Sequence, residues 1–381
     1  MTVAPQEPPA PPLAGVRVVE IGRYISAPLA SMLLADLGAD VVKVESPEGD
    51  PFRRWRPGQT SPRFLAFNRG KRSVVLDLRS PEGGDRLDGL LSDADVLIHN
   101  FRPEAAARLG LTRDVLAERF PRLVLCAVTG AGDAPSMAGR PMYDAIGQAL
   151  GGLMSVLSDT ADPVPSGPSI SDMVTGMNAA YGVLAALLGR AADGLARDVE
   201  VSMIGATFAF VGEAVTHYTA TGRVPDAGTR PRQSQSYAFT CADGLPLVVH
   251  LSTPDKFWRA LLDQAGRPEL AADPRFATYN GRVEGYTALH AELAPSFRTR
   301  HRDTWLEVLA GHDIPCAPLL SVDEVMDQPY AGELGLLAAL PDEAEGDLLM
   351  PARAVRMPGL APLVRPPRLG EHDAEVLGDG R

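Results

Sequence analysis

The chain has 381 residues, of which 45% are hydrophobic and 22% charged, and its formal net charge is −12 at pH 7. These values predict a soluble globular protein with room for two domains, and the acidic balance argues against a nucleic-acid-binding surface. No apolar run approaches the roughly 18–20 residues of a membrane span. The scattered cysteines (Cys126, Cys241 and Cys316) match neither a disulfide framework nor a metal motif, so we expect a protein of the reducing cytoplasm.

The chain begins with a strand–helix–strand pattern. VRVVEIG (16–22) and DVVKVES (40–46) are apolar, β-branched runs with the length of buried parallel strands, and SAPLASMLLADLG lies between them as a helix. The turn after the first strand reads GRYISAP and lacks the GxGxxG pattern that cradles a pyrophosphate. We therefore reject a nicotinamide or flavin site at this turn.

A basic segment follows and ends in a strand at 73–78. Seven cations fall within it: Arg53, Arg54, Arg56, Arg63, Arg69, Lys71 and Arg72. Such a run is either a solvated face or a site for a phosphate, because a local cluster of cations acts over about 8 Å in physiological salt. The residues alone leave both interpretations open.

The next strands bring polar side chains to one edge of the predicted sheet. DVLIHNF (95–101) is a strand, and the following RPEAAARLGL carries Arg102 and Arg108 beyond Asn100. Open α/β sheets bind their ligands at the carboxyl ends of the strands, so these three residues are candidate ligand contacts. Strands are also predicted at 121–130 and 197–203, and one long apolar helix at 204–222.

Asp172 lies in the stretch around which the chain is organised. Two helical runs, 143–157 and 172–188, flank a loop that contains Pro and Gly, so Asp172 sits where a loop enters a helix. The unpaired N–H groups and the dipole of a helix N-terminus favour negative charge there. One interpretation is that Ser171 or Asp172 is simply the N-cap residue of this helix. The other is that the Asp172 carboxylate is held ionised and acts as a nucleophile.

The second half of the chain predicts a separate α+β unit. Residues 223–235 are rich in Pro, Gly and Arg and resemble a linker, in which Arg230 and Arg232 are either solvated or steer a dicarboxylate. YAFTCADGLPLVVHL predicts a hairpin that turns at Asp243–Gly244, and helices follow at 255–264 and 286–299. The stretch DIPCAPLLSVDEVM is expected to return towards the first domain, and the polar, Pro-rich C-terminus is expected to wrap over the surface.

Eight stretches in the same order resemble the class III coenzyme A transferases (CaiB/BaiF type), whose fold the α-methylacyl-CoA racemases share. They read PLAGVRVVEIG, APLASMLLADLGADVVKVE, FNRGKRSVVLDL, NFRPEAAARLGL, YDAIGQALGGLMS, GPSISDMVTGMNAAYGVLAALL, DGLPLVVHL and DIPCAP. The resemblance implies an α/β fold in which a Rossmann-like large domain accompanies a smaller α+β domain. The expected boundaries are 1–222 for the large CoA-binding domain, 223–235 for the linker, 236–322 for the small domain and 323–381 for a segment returning to the large domain.

The resemblance also implies an assembly and a chemistry. It implies an interlocked homodimer that acts on an acyl-CoA and a carboxylic acid, with the CoA thioester as substrate and neither a metal nor a permanently bound cofactor. Asp172 matches the catalytic carboxylate, which attacks the thioester to form an acyl anhydride and later carries coenzyme A as an aspartyl thioester. By motif position, Lys71, Asn100 and Arg108 match CoA contacts, with Arg72 and Arg102 as neighbours.

Tyr143 separates two members of this fold. The racemases place a His in a GHDxN-like stretch, whereas the matching stretch here is PMYDAI. A phenol with a pKa near 10 is a poor general base at neutral pH, so Tyr143 is expected to donate a hydrogen bond to the acyl group or to pack in the core. This favours a transferase over a racemase. Some transferases carry a glycine-rich lid, and the candidate region here, GTRPRQSQSY, departs from that pattern because it contains a single Gly and two Arg. A CoA-binding homologue without catalysis is a further alternative.

Overall fold

The computed structural model describes residues 9–54, 61–165, 167–252, 255–342 and 346–378. Along these residues the strands are β1 (Arg17–Ile21), β2 (Asp40–Glu45), β3 (Lys71–Val75), β4 (Val96–His99), β5 (Val124–Thr129), β6 (Val199–Ser202), β7 (Ser236–Thr240), β8 (Pro246–His250), β9 (Cys316–Pro318), β10 (Leu337–Leu340) and β11 (Leu348–Pro351). The helices are α1 (Ser26–Asp36), α2 (Pro62–Leu65), α3 (Pro81–Ser92), α4 (Pro103–Arg108), α5 (Arg113–Arg119), α6 (Asp144–Leu150), α7 (Leu153–Leu157), α8 (Ile170–Asp193), α9 (Met203–Phe210), α10 (Gly212–Thr221), α11 (Thr229–Ser234), α12 (Asp255–Ala265), α13 (Tyr279–Glu284), α14 (Tyr286–Phe297), α15 (Arg302–Gly311), α16 (Val322–Met326), α17 (Pro329–Glu333) and α18 (Asp373–Leu377).

The chain divides into two compact units. Unit 1 is built from described residues within Met1–Met154, Pro165–Val215 and Tyr330–Arg381, and unit 2 from Ser155–Val164 and Thr216–Pro329. The segment expected to be a linker, 223–235, falls inside unit 2 and contains the short helix α11. No helix among the described residues combines the length and the apolar character needed to cross a membrane.

Unit 1 contains a parallel sheet in the order β3-β2-β1-β4-β5-β6, and with it the predicted α/β class is confirmed. Except in the edge strand β6, in which no residue is fully buried, the strands are buried on both faces, as their continuous apolar runs predict. Val18 and its neighbours on one face pack with α1 and α8, whereas Val19 and its neighbours on the other face pack with α3 and the α4–α5 region. β1 lies inside the sheet, so the loop that leaves its carboxyl end opens near the middle of that edge.

Unit 2 has a core of its own. The predicted hairpin is present, with Tyr237 opposite Val249 in the antiparallel pair β7–β8, and β9 pairs antiparallel with β8. Its helices bury Trp258 and Trp305 against this sheet together with Phe297.

Two helices that the sequence analysis predicted as continuous are each divided in the structure. The run 143–157 ends its first helix at Leu150 and resumes at Leu153, because Gly151 and Gly152 interrupt it and Gly152 takes a φ of 80°. The run 204–222 is divided into α9 and α10 after Phe210, just ahead of Gly212. Glycine lowers helix propensity and frees the backbone for a left-handed turn, and the apolar pattern does not report either effect.

Gly147 in α6 predicts a measurable packing cost. A Cβ atom at this position would lie 2.5 Å from Met203 Sδ of α9, whereas a Cβ atom at Gly89 in α3 would meet nothing within 4 Å. We expect Gly147→Ala to lower the free energy of unfolding by about 1–3 kcal/mol through overpacking, and Gly89→Ala to raise it by roughly 0.5–1 kcal/mol through helix propensity. Urea denaturation measures both changes, and equal effects of the two substitutions would contradict the close approach of α6 to α9.

Candidate active site

A cavity of about 460 Å³ opens in unit 1 at the carboxyl ends of β1, β4 and β5. The loops that follow these three strands form most of its wall, and the first turn of α8 completes it. Its polar lining residues with charged, hydroxyl or amide side chains are Arg23, Tyr24, Ser26, Asn100, Arg102, Glu104, Thr129, Asp133, Arg140, Tyr143 and Asp172. The topology therefore places a candidate ligand site at the edge of the sheet where the sequence predicted one.

Asp172 lines this cavity from the third position of α8. The helix begins at Ile170 with Ser169 as its N-cap residue, so neither Ser171 nor Asp172 is the cap, and that part of the sequence prediction is wrong. Ser171 instead turns inward and hydrogen-bonds Thr207 of α9. Because successive helical residues point about 100° apart, the inward position of Ser171 leaves the neighbouring Asp172 at the cavity.

The carboxyl group of Asp172 titrates near neutrality. Burial and the nearby charge of Asp144 raise the pKa of Asp172 from 3.8 to about 7, and a hydrogen bond from Ser26 opposes the rise. The helix N-terminus was expected to keep this carboxylate ionised, but loss of water from the group outweighs that effect, which is typically about 0.3–1 kcal/mol. A carboxyl group poised near pH 7 in a cleft is a mark of a functional site.

Asp144 connects two helix N-termini. Its Oδ1 accepts a hydrogen bond from the Asp172 backbone N–H at 3.1 Å, and its Oδ2 accepts one from Gln148 Nε2 at 2.7 Å. Asp144 therefore caps α8 from the first turn of α6. Gln148 is fully buried and faces this contact.

Tyr143 lies at the entrance of the cavity and is 60% exposed, which excludes the core-packing alternative. Its ring packs edge-on against Tyr24, with ring centroids 5.8 Å apart. Burial, followed by a hydrogen bond with Tyr143, raises the pKa of Tyr24, so the Tyr24 phenol stays neutral at physiological pH. Tyr24 has a φ of 67°, a left-handed conformation that is strained for a tyrosine and is found most often at functional sites.

Asn100 and Arg102 line the cavity from the loop after β4. Asn100 joins the loops after β1 and β4, because its Oδ1 accepts from the Arg23 N–H at 3.1 Å and its Nδ2 donates to the Arg23 carbonyl at 2.8 Å. Arg102 is exposed as the N-cap residue of α4. Arg108 is exposed in the last turn of α4 and is not among the described residues that line the cavity.

Lys71 and Arg72 lie away from the cavity. Lys71 is 3% exposed, and its Nζ donates to Glu20 Oε2 at 3.0 Å, to the Pro28 carbonyl at 2.8 Å and to Asn68 Oδ1 at 2.9 Å. Arg72 pairs with Asp40, the first residue of β2, and so lies at the amino edge of the sheet. Neither side chain is placed to contact a ligand in this cavity, because both are engaged elsewhere in unit 1.

Most of the basic segment is neutralised within unit 1. Arg53 pairs with Glu45 at 2.7 Å and Arg69 with Asp36 at 2.5 Å, and both arginines are largely buried. Arg56 falls outside the residues that the structure describes. The sequence identifies these cations, but it does not show that carboxylates from distant positions form ion pairs with them.

Several cavity residues were missed by the sequence analysis, namely Arg23, Tyr24, Ser26 and Arg140. Arg23 and Ser26 follow β1 closely, so the strand-end rule that identified Asn100 could have found them.

In unit 2, Arg230 lines a separate cavity of about 420 Å³ with His250, and Arg232 pairs with Asp226 at 2.5 Å. Among the described residues, no three His, Cys, Asp or Glu side chains are grouped as metal ligands.

The chain matches the model of CoA-transferase family III over residues 13–373. It is 34% identical to the acetyl-CoA:oxalate CoA-transferase of Acetobacter aceti, over 99% of this chain and 97% of that protein. It is 32% identical to the succinate–glutarate CoA-transferase of Agrobacterium fabrum, over 97% and 96% of the two chains. A crystal structure of a CaiB/BaiF family protein from Brucella suis superposes with a TM-score of 0.85 at 31% identity, covering 97% of this chain and 99% of that one.

Proposed function

The chain belongs to CoA-transferase family III, and we propose that it moves coenzyme A from an acyl-CoA to a carboxylic acid through covalent intermediates on Asp172. The observation that carries the proposal is a carboxyl group with a pKa of about 7 at the wall of a cavity in the family's fold. About half of such a group is ionised at neutral pH, and burial leaves the ionised form poorly solvated. Both properties suit a nucleophile that must attack and then leave again.

The proposed reaction has four steps that conserve an activated acyl group throughout. An Asp172 carboxylate oxygen attacks the thioester carbon of the donor, the C–S bond breaks, and CoA leaves as its thiolate. The thiolate then attacks the Asp172 carbonyl of the anhydride, which releases the donor acid and leaves an aspartyl-CoA thioester. The acceptor carboxylate attacks the carbonyl of this thioester, the C–S bond breaks, and a second anhydride forms as CoA thiolate leaves. The thiolate finally attacks the acceptor carbonyl of this anhydride, and the Asp172 carboxylate is released. No nucleotide triphosphate is needed.

The cations of the cavity are proposed to hold the negative charge of the substrates. Arg23, Arg102 and Arg140 line the cavity, and Asn100 fixes the backbone of Arg23. Guanidinium groups form paired hydrogen bonds with phosphates and carboxylates, so these three arginines are the proposed contacts for CoA and the acids. Arg108 remains a proposed outer contact, because it is exposed on α4, the helix that begins beside Arg102.

A racemase is less well supported by the same cavity. Racemisation at an α-carbon needs acid–base groups on the substrate, and no histidine is among the described residues that line the cavity. His99 directly precedes the cavity residue Asn100 in the sequence. Its side chain is buried, and burial lowers its pKa to about 4. Deuterium wash-in at the α-carbon of a 2-methylacyl-CoA tests this alternative, and we expect no wash-in.

We further propose an interlocked homodimer in the cytoplasm with no permanently bound cofactor or metal. Exposed apolar side chains along α8 and α9, including Tyr181, Leu188 and Phe210, are consistent with burial against a second copy. The three cysteines are free, which agrees with a reducing compartment. Sedimentation velocity with the purified chain measures the oligomeric state.

The test of the reaction is chemical trapping at Asp172. The protein is mixed with a panel of acyl-CoAs, reduced with borohydride and mapped by peptide mass spectrometry. An anhydride or thioester at Asp172 would be reduced to an alcohol, which marks the residue that carried it. Acetyl-CoA and succinyl-CoA belong in the panel, with oxalate and glutarate as acceptors, because the two relatives are named for these acids. Binding of acyl-CoA without a reduced residue or acyl exchange would favour a binding protein instead.

A further inference from the structure

The loop after β1 leads into the first turn of α1, and this segment, residues 22–28, is fixed at both ends by buried lysines. Lys43 Nζ donates to the Gly22 carbonyl at 2.9 Å, and Lys71 Nζ donates to the Pro28 carbonyl at 2.8 Å. Glu20 joins the two lysines, because its two carboxylate oxygens each accept from one Nζ at 3.0 Å. The loop is thus tied to one carboxylate beneath it.

Glu20, Lys43, Asp50 and Lys71 form what we call the buried ion cluster. Their side chains are at most 1% exposed, and Asp50 adds a contact of 3.3 Å to Lys43. Burial lowers the pKa of Lys71 to about 8, although Glu20 acts to raise it. Charges at this depth cannot be solvated by water when a partner is removed, so the cluster resists any movement that separates its members.

Ser26 is the residue through which this loop reaches Asp172. It is 4% exposed, lies at the start of α1 and lines the same cavity as Asp172. Its hydroxyl hydrogen-bonds the Asp172 carboxylate and acts to lower the pKa of that group. Gly176, one helical turn beyond Asp172, permits the close approach, because a Cβ atom there would lie 2.7 Å from the Ser26 carbonyl oxygen.

We propose that Ser26 is a positioning residue that orients the Asp172 carboxylate, and that the buried ion cluster fixes Ser26 in place through the loop after β1. This rests on the proposed nucleophilic role of Asp172, but it assigns Lys71 a function inside the fold rather than a contact with CoA. A hydroxyl held rigidly on one carboxylate oxygen leaves the other oxygen directed to the cavity, and it stabilises the ionised form.

The test measures the pKa of Asp172 without relying on catalysis. The unfolding free energy of the full chain is followed from pH 4 to pH 9 with and without Asp172→Asn, in the wild-type, Ser26→Ala and Lys71→Met backgrounds. In each background, the unfolding free energy with Asp172 is compared with that of the Asp172→Asn variant. The pH above which the difference between these two free energies stops changing reports the pKa of Asp172 in that background. The other groups near Asp172 are Asp144 of α6, with Arg23 and Tyr24 of the loop and Tyr143 before α6, and they are unchanged in every background.

We expect Ser26→Ala and Lys71→Met each to raise the pKa of Asp172 by about half a unit or more, since each loses the stabilising hydroxyl contact. The double variant should show no further rise, because both changes act through one hydrogen bond. The matched control is Arg190→Met, which breaks a partly buried ion pair of 2.6 Å with Asp95 elsewhere in unit 1 and should leave the pKa of Asp172 unchanged. Asn68→Ala removes one acceptor of Lys71 and replaces Lys71→Met if that variant does not fold.

An unchanged pKa in Ser26→Ala would overturn the positioning role of Ser26. Additive shifts in the double variant, or a shift in Arg190→Met, would overturn the link between the buried ion cluster and Ser26. Failure of the proposed reaction is a separate result, because the pKa of Asp172 is measured whether or not the protein transfers CoA. In a catalytically active protein, Ser26→Ala should also move the pH midpoint of kcat upward while the KM for acyl-CoA changes little.

Discussion

Asp172→Asn is expected to abolish CoA exchange, with a loss of about 10⁴-fold or more in kcat. The amide cannot attack a thioester or carry coenzyme A, so every step of the proposed reaction is blocked rather than slowed. Asparagine retains the size of aspartate, so the cavity and the first turn of α8 should keep their shape. Exchange of labelled CoA between an acyl-CoA and a carboxylic acid measures the rate, and borohydride should leave residue 172 unlabelled.

The stability of the same variant serves as its control for folding. Because the folded-state pKa of Asp172 is raised from 3.8 to about 7, the stability that its protonated form contributes is complete below pH 4 and is lost as the pH rises through 7. Asparagine does not ionise, so Asp172→Asn should be more stable than the wild type above pH 7, by roughly 1–3 kcal/mol, and nearly equal to it at pH 4. Thermal unfolding at the two pH values measures this difference.

Two results would contradict the role of Asp172. Wild-type rates of exchange in Asp172→Asn would remove it from the reaction, provided that the variant shows the predicted gain in stability. An inactive variant that is also less stable than the wild type at pH 8 would indicate loss of structure instead of loss of a nucleophile. We therefore expect Asp172→Asn to lose CoA exchange activity and, above pH 7, to be more stable than the wild type.

The sequence predicted the sheet of unit 1 well because most of its strands are buried on both faces. VRVVEIG and DVVKVES have the continuous β-branched pattern of such strands, and the structure places β1 and β2 within them. The strand-end rule then located Asn100 and Arg102 at the cavity. Helix interruptions were harder to predict, since Gly151 and Gly152 separate α6 from α7 without any change in the apolar pattern.

Pairings between distant residues were beyond the sequence. Lys71 resembles a surface cation in the basic segment, and only the parallel pairing of β1, β2 and β3 shows that it meets Glu20, 51 positions earlier. Likewise, the raised pKa of Asp172 depends on Asp144, which is 28 positions away and lies on another helix. The sequence shows where a charged residue stands along the chain, whereas the topology of the fold determines which distant residue it pairs with.

The proposed nucleophile predicts a steep pH dependence. Only ionised Asp172 can attack, so with a pKa of about 7 the initial rate of adduct formation should fall about tenfold for each pH unit below 7 and reach about 1% of its plateau at pH 5. Stopped reactions with a saturating acyl-CoA, trapped with borohydride at each pH, measure the rate. A flat profile between pH 5 and pH 8 would contradict attack by this carboxylate.

Asp144→Asn should move that profile to lower pH. The charge of Asp144 helps raise the pKa of Asp172, and asparagine removes the charge while its side-chain oxygen can still accept the hydrogen bond from the Asp172 N–H. The midpoint should therefore fall and the rate at pH 5 should rise several-fold, whereas the plateau rate should drop because a less basic carboxylate is a weaker nucleophile. Asp133→Asn is the matched control, since Asp133 lines the same cavity without contributing to the pKa of Asp172. A shift in both variants would mean that Asp172 responds to the overall charge of the cavity, whereas a shift in Asp144→Asn alone would show that the carboxylate bridging α6 and α8 sets the pH at which the enzyme works.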